Sequence, residues 1–131
     1  MRVLIVEDEA IVALSLAWEL EAHGHTVIGP AASDTEALEF VRTDRPDVAL
    51  IDLTLHGREV GISLATLLKL SYGIPVIFVT GQPGVARAHP DLAIGVIKKP
   101  YRTETVTKAL SMAADRLAGR TPVSTASALE L

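Results

Sequence analysis

Cysteine is absent from the 131 residues, which excludes a disulfide framework, a thiolate metal site and a thiol nucleophile. No apolar run approaches the length that spans a bilayer. Nor is Met1-Arg2 followed by the long apolar stretch of a secretory leader, so a cytoplasmic protein without membrane contact is expected. Clustered Lys and Arg are missing too. With 12 basic against 16 acidic residues the net charge is -4, which argues against direct nucleic-acid binding, because that draws its affinity from clustered cations. A glycine-rich phosphate loop is lacking after the first apolar run, which speaks against a nucleotide-binding module.

What is present describes one globular domain. The chain is 49% hydrophobic and 21% charged, with a mean hydropathy of +0.35, enough apolar residue for a single core. Two patterns alternate along it. Short β-branched runs at 3–6, 26–28, 48–53, 75–80 and 93–97 read as strands, most of them apolar on both faces, as in a buried parallel sheet. Between them, 9–23, 34–44, 60–72 and 103–118 read as helices, with a short, poorly patterned stretch near 84–89. Five strands alternating with helices predict a doubly wound α/β sandwich.

Local punctuation agrees with that division. Ser33 and Glu36 have capping-box spacing, Gly24 closes the first helix, and Arg45-Pro46 and Gly73-Ile74-Pro75 end helices before strands. Residues 119–131, rich in Ser, Thr and Ala, read as a tail behind a domain of residues 1–118 and are too short for an output domain. The first helix is apolar on two stripes, Ile11-Leu14-Trp18 and Val12-Leu16-Leu20, where a sandwich helix needs only one. The surplus stripe is either a wide core contact or a partner-binding face anchored by Trp18.

In a doubly wound sheet, ligands sit outside the carboxyl ends of the strands. The first strand ends in Glu7 and Asp8, the third in Asp52, the fourth in Thr80, and the fifth leads to Lys99. Each has an ordinary explanation on its own, as a strand-end cap, a β-former or a surface cation. Together they bring three mutually repelling carboxylates to one crevice, a hard-oxygen site for Mg2+. A carboxylate nucleophile, a metal, a hydroxyl donor and a fixed cation are what phosphoryl capture on an acid requires.

The motifs "VLIVEDE", "DVALIDL", "PVIFVTG" and "IKKPY" occur in the order found in the receiver domains of bacterial two-component response regulators, and the sequence resembles that family over residues 2 to 118. The resemblance implies a CheY-like, flavodoxin-like fold with strand order 2-1-3-4-5. It implies Asp52 as phosphoacceptor, Asp8 as the main Mg2+ carboxylate with Glu7 assisting through water, and the main-chain carbonyl of Thr54 as a further ligand. Thr80 would bind the phosphoryl group, and Lys99, rather than its neighbour Lys98, would pair with Asp52 or its phosphate. A cis Lys99-Pro100 bond is also implied, an X-Pro bond being where cis geometry costs little. The implied function is a stand-alone receiver in a phosphorelay, not an enzyme. Its phosphoryl group would come from a sensor histidine kinase or a histidine phosphotransfer protein, and its signal would reach an unknown downstream protein through the face of the fourth helix, fifth strand and fifth helix. A monomer and a homodimer, the latter through that face or through the first helix, are both compatible with the sequence.

Departures from the family pattern matter as well. Val96 stands where the family carries Tyr or Phe, so a threonine-to-aromatic switch cannot work in its usual form. "FVTG" is similar to the motif of the FATGUY receiver subgroup, but Gln82-Pro83 replaces its hydrophobic residue and tyrosine. Pro83, Gly84 and Pro90 predict an abbreviated fourth helix. His56, where proline is common, reads as an exposed loop residue. Two alternatives compete with a working receiver. One is a binding module that acts without phosphorylation. The other is a Mg2+-dependent phosphatase of the haloacid dehalogenase type, against which Thr54 stands where such enzymes carry a second Asp.

Overall fold

The structure, a computed structural model, describes residues 1–119 and 129–130. Its elements are β1 (Arg2–Val6), α1 (Ala10–Ala22), β2 (Thr26–Ala31), α2 (Asp34–Thr43), β3 (Val48–Asp52), α3 (Gly61–Tyr72), β4 (Val76–Thr80), α4 (Pro83–Arg87), β5 (Gly95–Lys98), α5 (Thr103–Leu117) and β6 (Leu129–Glu130). All strand pairs are parallel, in the order β2-β1-β3-β4-β5-β6. The five expected strands thus take the order 2-1-3-4-5. A sixth, two-residue strand extends the edge beyond β5, in the stretch expected to be a tail. The remainder of that stretch after Gly119 lies outside the described residues.

Apolar side chains alternate across the sheet, and this divides the core in two. Leu4, Val6, Ala49, Ile51, Val76, Phe78 and Val96 point to one face, where Ala37 and Val41 of α2, Leu64 and Leu68 of α3 and Ala86 of α4 cover them. Val3, Ile5, Val48, Leu50, Ile77, Val79 and Ile97 point to the other, against Leu16 and Leu20 of α1 and Val106, Leu110 and Met112 of α5. Strands buried on both faces require the near-continuous apolar runs seen in the sequence.

Helix ends follow from local chemistry. Ser33 Oγ accepts the N–H of Glu36 at 3.2 Å, while the Glu36 carboxylate accepts from Ala32 rather than from Ser33, a capping box displaced by one residue. Gly73, in the left-handed region at φ 65°, ends α3. α4 is only five residues long, opened by Pro83, as its composition predicted. β2 runs three residues further than expected, with a register irregularity against β1 around a cis Gly29-Pro30 bond. On α1 the stripe of Leu16 and Leu20 faces inward with Ala13 and Ala17. The other stripe stands in solvent, with Ile11 85%, Leu14 48% and Trp18 71% exposed, so it is not a wide core contact.

Candidate phosphoryl and metal site

Because the five long strands are parallel, their carboxyl ends share one edge, and the expected residues meet there. β1 delivers Glu7, whose N–H donates to the Ala31 carbonyl of β2 at 2.9 Å, and then Asp8. β3 delivers Asp52. Carboxylate oxygens of Glu7, Asp8 and Asp52 lie within 4.8 Å of one another. Lys99 reaches in from beyond β5, its Nζ donating to Glu7 Oε1 at 2.7 Å and to Asp52 Oδ2 at 2.8 Å. Its backbone N–H donates to the Thr80 carbonyl at 2.8 Å, fixing β5 to β4 at the site. The Lys99-Pro100 bond is cis, and Lys98 is exposed and not part of the cluster.

Each acid is held in a particular way. Glu7 is buried, its Oε1 accepting from Lys99 and its Oε2 from the Glu9 N–H at 3.2 Å. Asp8 Oδ2 accepts the His56 N–H at 2.7 Å, and Asp52 Oδ1 accepts the Thr54 N–H at 3.2 Å. The adjacent acids are driven apart in acidity. Burial raises the pKa of Glu7 despite the hydrogen bond from Lys99, whereas the His56 N–H lowers that of Asp8. Burial works against the charge of Lys99, but its hydrogen bonds to Asp52 and Glu7 prevail and raise its pKa.

The donor set fits a divalent cation. Three carboxyl groups converge beside a single ammonium, and the donors they offer are hard oxygens. Thr80, at the end of β4, is buried, and its Oγ1 accepts the Gln82 N–H at 2.9 Å, which leaves the hydroxyl hydrogen for another acceptor. A cavity of about 390 Å³ lies alongside, lined by Glu9, Val12, Lys99, Pro100 and Tyr101.

Two backbone features of the site were not read from the sequence. His56, 62% exposed as a side chain, takes φ 52° and with Gly57 (φ 73°) closes a two-residue hairpin in which Leu55 and Arg58 exchange both backbone hydrogen bonds. Proline, with φ fixed near -65°, could not stand there. The hairpin aims the His56 N–H at Asp8. Gly61, which opens α3, donates its N–H to the Leu53 carbonyl at 2.9 Å and lies against the end of β3. An added Cβ would sit 2.5 Å from Leu53 Cα and 2.7 Å from the Asp52 carbonyl oxygen. Glycine at the start of a helix, where helix formers are favoured, was the available signal.

Comparison with known proteins places this geometry. The family model described as "Response regulator receiver domain" matches residues 3–111. The phyllosphere-induced regulator PhyR of Methylorubrum extorquens is 33% identical over 115 residues, covering 86% of this chain and 43% of that protein. The transcriptional regulatory protein PdtaR of Mycobacterium tuberculosis is 30% identical over 118 residues, covering 88% and 57%. The chain spans about half the length of these curated relatives. Among solved structures, the receiver domain of Erythrobacter litoralis PhyR superimposes with a TM-score of 0.78 at 28% identity, covering 95% of each chain. The anti-anti-sigma factor PhyR of Bartonella quintana gives 0.80 at 27% identity, covering 90% of this chain and 49% of that one. Receiver domains are signalling domains that generally bind Mg2+, and no described helix here is long and apolar enough to cross a membrane. Motifs, strand order and a family match over most of the length converge, and this chain belongs to the response regulator receiver domain family.

Proposed function

We propose that the protein accepts a phosphoryl group on Asp52 from a phosphohistidine, borne by a sensor histidine kinase or a phosphotransfer protein, and signals through altered protein contacts. The observation that carries this reading is the Lys99 ammonium bridging Glu7 and Asp52 in a triad of acids with Thr80 close by in the fold. One Asp52 oxygen attacks phosphorus, the O–P bond forms as the P–N bond breaks, and the imidazole leaves with the electron pair and takes up a proton. Mg2+, when bound, neutralises the phosphoryl oxygens during transfer. Asp8, Asp52 and the Thr54 carbonyl, to which no hydrogen bond is made among the described residues, would hold it directly. Glu7, the buried member of the three acids, would act through water. Lys99 keeps Asp52 oriented and pairs with the charge it gains, while the Thr80 hydroxyl donates to a phosphoryl oxygen.

The donor docks on the outer face of α1. Ile11 lies three residues from Asp8, and the exposed stripe it forms with Leu14 and Trp18 is flanked by Glu9, Glu19 and Glu21 with no basic residue on the helix. That surface fits an apolar helix rimmed by Lys or Arg.

Intact-mass spectrometry tests the site. With acetyl phosphate and Mg2+ the protein should gain one phosphoryl group, and Asp52→Asn should gain none. A base-labile phosphate persisting in the variant would refute Asp52. Trp18→Ala separates docking from chemistry. It should leave uptake from acetyl phosphate unchanged while slowing uptake from a phosphohistidine protein at least tenfold, and equal slowing with both donors would place Trp18 outside any docking role.

A further inference from the structure

The weakest piece of the sheet is β6. It pairs only two residues, Leu129 with Gly95 and Glu130 with Val96, and it covers the outer edge of β5. A parallel pairing of only two residues at the edge of a sheet belongs to the low-stability end of local opening.

β5 is also the strand most directly tied to the site. It has four residues, and beyond its last one Lys99 is fixed at three points, to the Thr80 carbonyl, to Glu7 and to Asp52. Lys98 pairs with Thr80 in the β4–β5 register, and Glu130 sits opposite Val96, three residues before Lys99. A change in what Lys99 and Thr80 hold thus acts on a short strand whose other edge carries a marginal partner.

We propose that Leu129–Glu130 is a removable strand covering the β5 edge, and that its release carries a change at the site out of the domain. The trigger rests on the proposed phosphorylation of Asp52, whereas the cover does not. Released, the edge presents the backbone groups of Val96 and Lys98, which alternate with those of Gly95 and Ile97 bonded to β4, to an extended segment of another protein, a recognition mode in which main-chain hydrogen bonds supply affinity.

Hydrogen exchange at the amide of Val96, which faces β6 while those of Gly95 and Ile97 face β4, tests both halves. The first comparison sets the full chain against the full chain carrying Leu129→Pro and Glu130→Pro, which removes both N–H groups of β6. Exchange should rise about tenfold in the variant, and unchanged exchange would overturn the cover. The second adds acetyl phosphate and Mg2+ to the wild type, with phosphate gain followed by intact mass. The same rise should appear with phosphate gain and be absent in Asp52→Asn. Gain of phosphate without faster exchange would overturn the trigger. Absence of phosphate gain would instead refute the reading of the site, and the trigger with it, while the proline variant still decides the cover.

Discussion

Gly61→Ala should lower the melting temperature by about 10 °C and strongly slow phosphoryl uptake, although the residue carries no functional group. Its Cβ would lie 2.5 Å from Leu53 Cα, 2.7 Å from the Asp52 carbonyl oxygen and 2.9 Å from the Leu53 carbonyl oxygen. All three are backbone atoms at the end of the central strand, so no side-chain rotation relieves the overlap. Either α3 moves away, breaking the 2.9 Å bond from the Gly61 N–H to the Leu53 carbonyl, or the end of β3 moves and takes Asp52 with it. Overpacking of this kind costs about 1 to 3 kcal/mol, and in a domain of this size about 4 °C of melting temperature is lost per kcal/mol. Gly57→Ala is the control. Gly57 has φ 73° but nothing within 4 Å, so it should lose only the left-handed strain of about 1 kcal/mol. Thermal melts of the two variants, read beside their rates of uptake from acetyl phosphate, separate contact from conformation. Equal losses in both would refute the close approach of α3 to the end of β3.

The same comparison shows which parts of the molecule were legible in the sequence. Strands and long helices were, because a strand buried on both faces leaves an unbroken apolar run, and a covering helix leaves a stripe. Side chains of the site were legible for a related reason. Parallel strands put their carboxyl ends on one edge, so Glu7, Asp8, Asp52, Thr80 and Lys99 could be assembled from strand ends alone. What the sequence hid is made of backbone. The His56 N–H that holds Asp8 depends on two successive positive φ values, which His56-Gly57 permits but does not announce as Asn-Gly would. Leu129–Glu130 could not be foreseen as a strand from two residues in a stretch of Ser, Thr and Ala. The two stripes of α1 were visible, but periodicity alone could not say which faced water. That was settled by the side on which Ala13 and Ala17 allow the helix close to the sheet.

Lys99→Met should be the most damaging substitution among the charged residues, with a loss near 3 kcal/mol at pH 7.5 that shrinks as the solution is acidified. The ammonium is bonded to two of the clustered acids, 2.7 Å from Glu7 and 2.8 Å from Asp52, with a quarter of its side chain exposed. Removing one partner of such a group leaves charge in a poorly solvated place, which costs about 3 to 5 kcal/mol in a buried pair and less here because water reaches the site. The pH dependence follows from Glu7. Burial raises its pKa in the folded state above the ordinary 4.5 even with Lys99 in place, so the folded protein binds that proton more tightly than the unfolded chain. Its contribution is therefore most favourable below about pH 4.5 and is lost as the pH rises through the folded value. Without Lys99 the folded value rises further, and the unfavourable window widens upward from there. A divalent cation should replace part of what the ammonium supplied, because a ligand bound only by the folded state stabilises it in proportion to the logarithm of its concentration. Urea unfolding of wild type and variant from pH 4.5 to 8, with and without 10 mM Mg2+, as a concentration of about that order suits weakly held Mg2+, checks the account. The variant should recover toward the acid end and gain more from Mg2+ than the wild type does. A loss independent of both pH and Mg2+ would mean that Lys99 acts by packing, and that repulsion among Glu7, Asp8 and Asp52 is not what its charge restrains.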